Sequence, residues 1–182
     1  VDRAIIDMQG PEVRTVHELQ KVKALGLSWT RNFIKGDSRT DPRAFDGLQV
    51  RLTGTQLISN NDTGGALSLE KLDNLIDQVD SATHLIMGKS MRRKLNQAIR
   101  NRNISGDIDF TQDEFGMRVM HYNGLPILIA DYDNNGDIIM DFTETSPDGT
   151  SSTQCQSIYC VCFQEMMLNG IQGAVGGQYG IS

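Results

Sequence analysis

Cysteine, aromatic residues and long apolar runs are all scarce in this chain. Only Cys155, Cys160 and Cys162 occur, and an odd, clustered count excludes a small domain stapled by disulfides. No His or second Cys pair stands beside them at zinc spacing, which leaves out a zinc finger. No stretch approaches the ~18 consecutive apolar residues of a membrane span. Val1-Asp2-Arg3-Ala4-Ile5-Ile6-Asp7 carries a charge every few positions, unlike a secretory signal. The chain therefore reads as soluble and cytoplasmic when made, with no membrane partner. A net charge of −6 argues against a dedicated nucleic-acid binder.

What remains is ordinary globular material. The 182 residues, 38% hydrophobic and 22% charged, suit one domain or two small interleaved lobes with a buried core. Gly10-Pro11 opens a long helix in which Val13, Val16, Leu19, Val22, Gly26, Trp29 and Phe33 recur at spacings of three and four. Its expected stop is Gly36 in a left-handed conformation. The segment Asn60-Asn61-Asp62-Thr63-Gly64-Gly65 reads as a connection. Ser68 then caps a helix striped with Leu69, Leu72, Leu75, Ile76 and Val79. His84 to Met87 reads as a buried strand and Ser90 to Arg102 as a third helix, with Met91, Leu95 and Ile99 inward.

The second half reads mainly as strands. Met117 to Tyr122 alternates, Asn123-Gly124 is a strong hairpin turn, and Pro126 to Ala130 answers it. Asn134-Asn135-Gly136 predicts a turn into a strand over 137–142. A strand is expected at Ser157 to Phe163, where Cys160 and Cys162 share a face as small hydrophobes. The stretch from Gly173 to Ser182 reads as a tail without a closing element.

Four features invite a chemical reading. Asp131, Asp133, Asn135 and Asp137, with Gly136 and Ile138, follow the start of an EF-hand loop. Position twelve is Phe142 rather than Glu and the flanks read as strands, so an Asx-rich turn is the simpler account. Gly88-Lys89-Ser90 resembles the end of a phosphate-binding loop, but Thr83 stands where that loop needs glycine. A strand-to-helix turn with Ser90 as N-cap explains it better. His17, His84 and His121 lie apart in sequence, and no Ser or Cys sits in a nucleophile elbow. Charge is uneven as well. Lys89, Arg92, Arg93, Lys94, Arg100 and Arg102 form a run of six bases without an acid. Between Asp107 and Asp148 there are ten acids and one base, Arg118. Such opposed segments suit contacts between copies of one chain, although solvated faces explain them equally.

Taken in order, several segments resemble the major capsid proteins of tailed phages with the Hong Kong 97 fold. They are His17 to Leu25, Phe33 to Ser38, Asp41 to Leu48, His84 to Ser90, Tyr122 to Ile127 and Ser157 to Phe163. The resemblance implies an α+β fold in which a long spine helix, Pro11 to Ile34, and β-strands form a peripheral domain. An α/β axial domain is inserted into it. The implied division is 1–64 peripheral, 65–154 axial and 155–182 returning to the peripheral domain. Family members also carry an N-terminal arm and an extended loop before the spine, and closing strands at the end, so the chain is expected to be a central fragment.

The implied function is structural: a non-enzymatic head protein, without cofactor or metal, that assembles into the pentamers and hexamers of an icosahedral virion shell. Its implied partners are other copies of itself, scaffolding and portal proteins, and enclosed DNA held nonspecifically. It would be made in the bacterial host cytoplasm. The six bases from Lys89 to Arg102 are the candidate subunit-interface residues. A protein nanocompartment of the same fold, a calcium-binding β-rich module, and a small hydrolase or transferase assembled from distant residues are the alternatives.

Overall fold

The computed structural model describes residues 10, 12–60, 66–101, 108–112, 118–144, 155–164, 172–175 and 178–181. The described chain is mixed helix and sheet, an α+β arrangement. It divides into two compact units, Val1–Arg51 with Tyr132–Ile139, and Leu52–Asp131 with Met140–Ser182. Most of the Asn60–Gly65 connection, on which the sequence division at 64 rests, lies outside the described residues.

In the first unit, helix α1 spans Glu12–Lys35, 24 residues, or about 36 Å at the usual rise. Glu12 in its first turn and Lys35 in its last both favour the helix dipole. The apolar spacing read from the sequence is a stripe along this helix, yet only Ile34 near its C-terminal end is buried. There Trp29 stacks on Phe33 at 5.1 Å and meets Phe45 at 6.4 Å. The short helix α2, Leu48–Arg51, supplies buried Leu48.

Gly36 does not adopt the expected left-handed conformation. Space explains it instead: a Cβ there would lie 2.2 Å from the Phe45 carbonyl oxygen and 2.4 Å from that of Asn32. The Gly47 N–H donates to the Gly36 carbonyl at 2.9 Å, closing residues 36–47 into a hook. Asp46 accepts from the Ser38 N–H and hydroxyl, and Asp37 from the Arg39 N–H. These donors hold both carboxyls below the usual 3.8. Their contribution is therefore present above pH 3.8 and lost as pH falls through the lower folded values.

The second unit opens with a 3-10 turn at Gly54–Gln56 and helix α3, Leu69–Asp77. Ser68 is its N-cap, accepting from the Lys71 N–H. Strand β1, His84–Met87, leads into helix α4, Lys89–Asn101. Then come β2 (Ile108–Gln112), β3 (Arg118–Tyr122), β4 (Leu125–Ile129) and β5 (Tyr159–Val161). The sheet order is β2-β3-β4-β1-β5, with β1 and β4 parallel and the other neighbours antiparallel. Asn123 and Gly124 join β3 to β4 with φ of 48° and 78°, the left-handed pair that a type I′ hairpin requires.

The core lies between this sheet and the two helices. Leu85, Met87, Met120, Tyr122 and Ile127 meet Leu69 and Leu72 of α3 and Met91, Leu95 and Ile99 of α4. Tyr122 keeps its hydroxyl satisfied by donating to Asp73 at 2.8 Å, as a buried phenol must.

Two expectations need correction here. Residues 137–142 form no named strand; only an isolated Tyr132–Ile138 bridge is present. Ile139 and Met140 are both buried although adjacent, so the chain bends where an alternating strand would expose one of them. The tail after Gly173 contains a hairpin of β6 (Gln172–Val175) and β7 (Gln178–Ile181). Its sequence signal was the Gly176-Gly177 pair. No helix among the described residues is long and apolar enough to cross a membrane.

Candidate functional site

The basic run lies on α4, whose opposite face enters the core through Met91, Leu95 and Ile99. The helix begins at Lys89, so Ser90 is inside its first turn rather than at its N-cap. Lys89 pairs with Asp131. Arg92 is half-buried, and its Nε has no hydrogen-bond partner among the described residues. Arg93, Lys94 and Arg100 are exposed. Arg102 lies outside the described residues. Of the six predicted interface bases, the helix therefore brings Arg93 and Arg100 into one line, two turns apart. Lys94 points about a quarter-turn away. Asn96, Gln97 and Asn101 join the two arginines in lining a shallow groove of about 280 Å³.

Sequence reasoning missed a second charged face. On α3 the exposed Glu70, Asp73 and Asp77 follow each other at spacings of three and four, one stripe of the helix. Attention to the apolar stripe of the same segment hid it, since the two interleave. Among the described residues, Glu70, Asp77, Arg93 and Arg100 make no ion pair. Both stripes belong to the second unit.

The EF-hand-like segment is occupied by its own turn. Asp133 is buried, and its Oδ1 accepts the N–H groups of Asn135 at 2.8 Å and Asp137 at 2.9 Å. Its Oδ2 faces the Arg31 Nε at 3.4 Å. Asp131 is engaged by Lys89, while Asn135 and Asp137 point to solvent. Gly136, at φ 89°, makes the bend. Among the described residues no three His, Cys, Asp or Glu side chains are grouped to hold a metal.

The turn around Gly88 is closed in the same way. Ser90 Oγ donates to Gln156 Oε1 at 2.9 Å, and Gln156 Nε2 donates to the Met140 carbonyl at 2.9 Å. A side chain thus sits where a phosphate-binding loop leaves room for its ligand. Nearby, the buried Glu144 accepts from the Ser157 N–H at 2.7 Å and from its hydroxyl. A pair of backbone hydrogen bonds between Glu144 and Cys155 accompanies it. Glu144 Oε1 has no partner among the described residues.

Burial pushes the Tyr159 phenol up to about 12 from an ordinary 10.0, and the Glu144 charge adds to the rise. Below pH 10.0 the phenol is neutral in both folded and unfolded chains, so its contribution is fully present. Between 10.0 and about 12 only the unfolded chain ionises, and that stability is lost as pH rises. Tyr159→Phe should flatten this part of the alkaline stability curve, measured by urea melts at about pH 9 and about pH 11. An unchanged slope would place the phenol in water. Burial also raises the Cys160 thiol, with Cys162 adding to it, which disfavours the reactive thiolate.

Each histidine has its own surroundings among the described residues. His17 is exposed on α1. His84 lies 2.9 Å from the Thr83 hydroxyl and edge-on to Phe163. His121 faces the Val119 carbonyl at 3.3 Å. Comparison with known proteins finds no match for this chain among protein-family models, curated proteins or solved structures.

Proposed function

We propose that this chain is a structural shell subunit, a major capsid protein of the tailed-phage or prophage type with the Hong Kong 97 fold. It assembles into pentamers and hexamers around DNA and performs no catalysis. In this reading α1 is the spine of the peripheral domain, and β1 to β4 with α3 and α4 belong to the axial segment 65–154; β5, in the segment 155–182 expected to return to the peripheral domain, is paired with β1. Scaffolding and portal proteins are its further partners, and the virion is its destination.

The observation that carries the proposal is the exposed apolar stripe of α1. Val16, Leu19, Val22, Leu25 and Trp29 are 52%, 66%, 68%, 72% and 45% exposed. Isolated apolar residues on a surface mean little, but these follow one another three or four residues apart as a ridge that winds about half-way round the helix, and such a run supports a contact surface. A strut about 36 Å long with such a ridge suits a subunit whose neighbours complete it. The ordered resemblance across the chain is the second support.

Negative-stain electron microscopy of the protein expressed from its complete reading frame tests the reading. Shells or five- and six-membered rings are the expected particles; monomers at every salt and protein concentration would refute it. Leu19→Glu with Val22→Glu should abolish those particles while leaving the far-ultraviolet circular dichroism and melting temperature nearly unchanged. Both side chains are exposed, so the folded chain loses little.

A further inference from the structure

We propose that the acidic stripe of α3 in one copy of this chain docks on the basic stripe of α4 in the next, a head-to-tail contact that builds rings. The inference rests on the self-assembling reading above and specifies which surfaces meet.

The two stripes are opposite in sign and equal in spacing. Glu70 and Asp77 are seven residues apart on α3, and Arg93 and Arg100 are seven apart on α4. Each pair therefore spans two helical turns, about 10.5 Å. Asp73 lies between the acids, and Asn96 and Gln97 between the arginines. Laid side by side, the helices place two guanidinium groups against two carboxylates, with amide donors facing the central carboxylate. Arg93, Asn96, Gln97, Arg100 and Asn101 line a shallow, open groove along which those carboxylates would lie.

Each helix is fixed from behind by the core, and Tyr122 anchors Asp73 by a hydrogen bond. The backbone of both faces is therefore already ordered, and only the long side chains have to be fixed when the faces meet. None of the four outer charges is spent on an ion pair among the described residues.

Because the two patches differ, the contact is heterologous. Repetition of a heterologous contact generates a closed ring when the rotation closes. Guanidinium groups take carboxylates and phosphates alike through two-pronged hydrogen bonds. The matched seven-residue spacing of Glu70 and Asp77 is what favours a second copy of this chain over a phosphate chain.

The test is charge reversal in the complete protein, read as ring fraction by native mass spectrometry and microscopy. Arg93→Glu with Arg100→Glu, and separately Glu70→Lys with Asp77→Lys, should each raise the concentration needed for half assembly by about tenfold or more. All four changes in one chain should restore assembly to near the original level, because the signs are exchanged. Lys94→Glu, off the stripe, should leave it unchanged. Circular dichroism checks that each variant is folded.

If the original protein forms rings and the Arg93/Arg100 reversal forms them equally well, the docking inference falls and the shell proposal stands. The inference also falls if each reversal blocks assembly and the fourfold variant fails to restore it. It falls if the Arg93/Arg100 reversal loses DNA binding alone while rings persist, which would make nucleic acid the occupant. If the original protein never assembles, both proposals fall together.

Discussion

Leu95→Ala should lower the stability of the chain by about 2–5 kcal/mol, the range for deleting a fully enclosed leucine. Leu95 is 0% exposed and sits in the middle of α4 between Met91 and Ile99. It shares one buried cluster with Leu85, Met87 and Ile127 on the parallel pair β1 and β4 and with Leu69 and Leu72 of α3. The site is bounded by a sheet on one side and helices on the other, so the walls cannot close far over the vacancy. The upper half of the range is therefore expected.

Leu95→Met, which keeps the volume, should lose less than about 1.5 kcal/mol. Lys94→Ala, one residue away and exposed, should stay within about 0.5 kcal/mol. Urea unfolding with an unchanged denaturant slope is the measurement. A loss below about 1 kcal/mol for Leu95→Ala would show that α4 does not seal against the sheet. The result bears on assembly too. Arg93 and Arg100 are held in line only because Met91, Leu95 and Ile99 seat the other face of their helix. A loosened α4 should weaken ring formation even at concentrations where the variant is folded.

Those features were legible in the sequence because they are local. A spacing of three and four identifies α4 and its buried residues without knowledge of the rest of the chain. The Ser68 cap of α3 and the Asn123-Gly124 turn are likewise written within a few residues. Charge can be counted along the chain, so the basic run of α4 is legible without its geometry.

What stayed hidden depends on residues far apart. The parallel pairing of β1 with β4 has no turn to announce it. The segment 137–142 looked like a strand because Ile138, Ile139, Met140 and Phe142 are apolar. Yet Ile138 is exposed beside two fully enclosed neighbours, a pattern set by a bend rather than by alternation. Carboxylates at alternate positions are what calcium needs, and the sequence favours an Asx-rich turn at Asp133 over that ligand role without showing which atoms the carboxylate meets. The same residue serves the turn by collecting its N–H groups, and only the direction of the side chain separates the two. Gly36 looked like a helix stop because many helices end that way. Its actual constraint is the Phe45 carbonyl, which returns through a hook the local pattern does not specify.

Gly88 poses the same problem in sharper form and carries the second large prediction. Read locally, Gly88-Lys89-Ser90 is a strand-to-helix turn, and an alanine should fit before Lys89 with little effect. The fold forbids it. A Cβ at Gly88 would lie 2.4 Å from the Met140 carbonyl oxygen and 2.2 Å from Gln156 Nε2. The amide is the movable partner, but moving it breaks its bond to the Met140 carbonyl and disturbs the one from Ser90. The carbonyl itself belongs to a residue with 0% exposure and has nowhere to retreat. Overpacking of about 1–3 kcal/mol and the one broken hydrogen bond of about 1 kcal/mol bring the expected loss to about 2–4 kcal/mol.

Gln156→Ala alone should lose about 1–2 kcal/mol, because it leaves the Met140 carbonyl without that donor. The two changes share one space, so together they should lose less than their sum. The remaining penalty in the double variant measures the contact with the backbone carbonyl alone. Urea melts of the four proteins in this cycle give each quantity. Strict additivity would mean that Gln156 does not cover Gly88. A neutral Gly88→Ala would mean that the turn is open above the helix, the arrangement a phosphate-binding loop needs and a filled structural joint lacks.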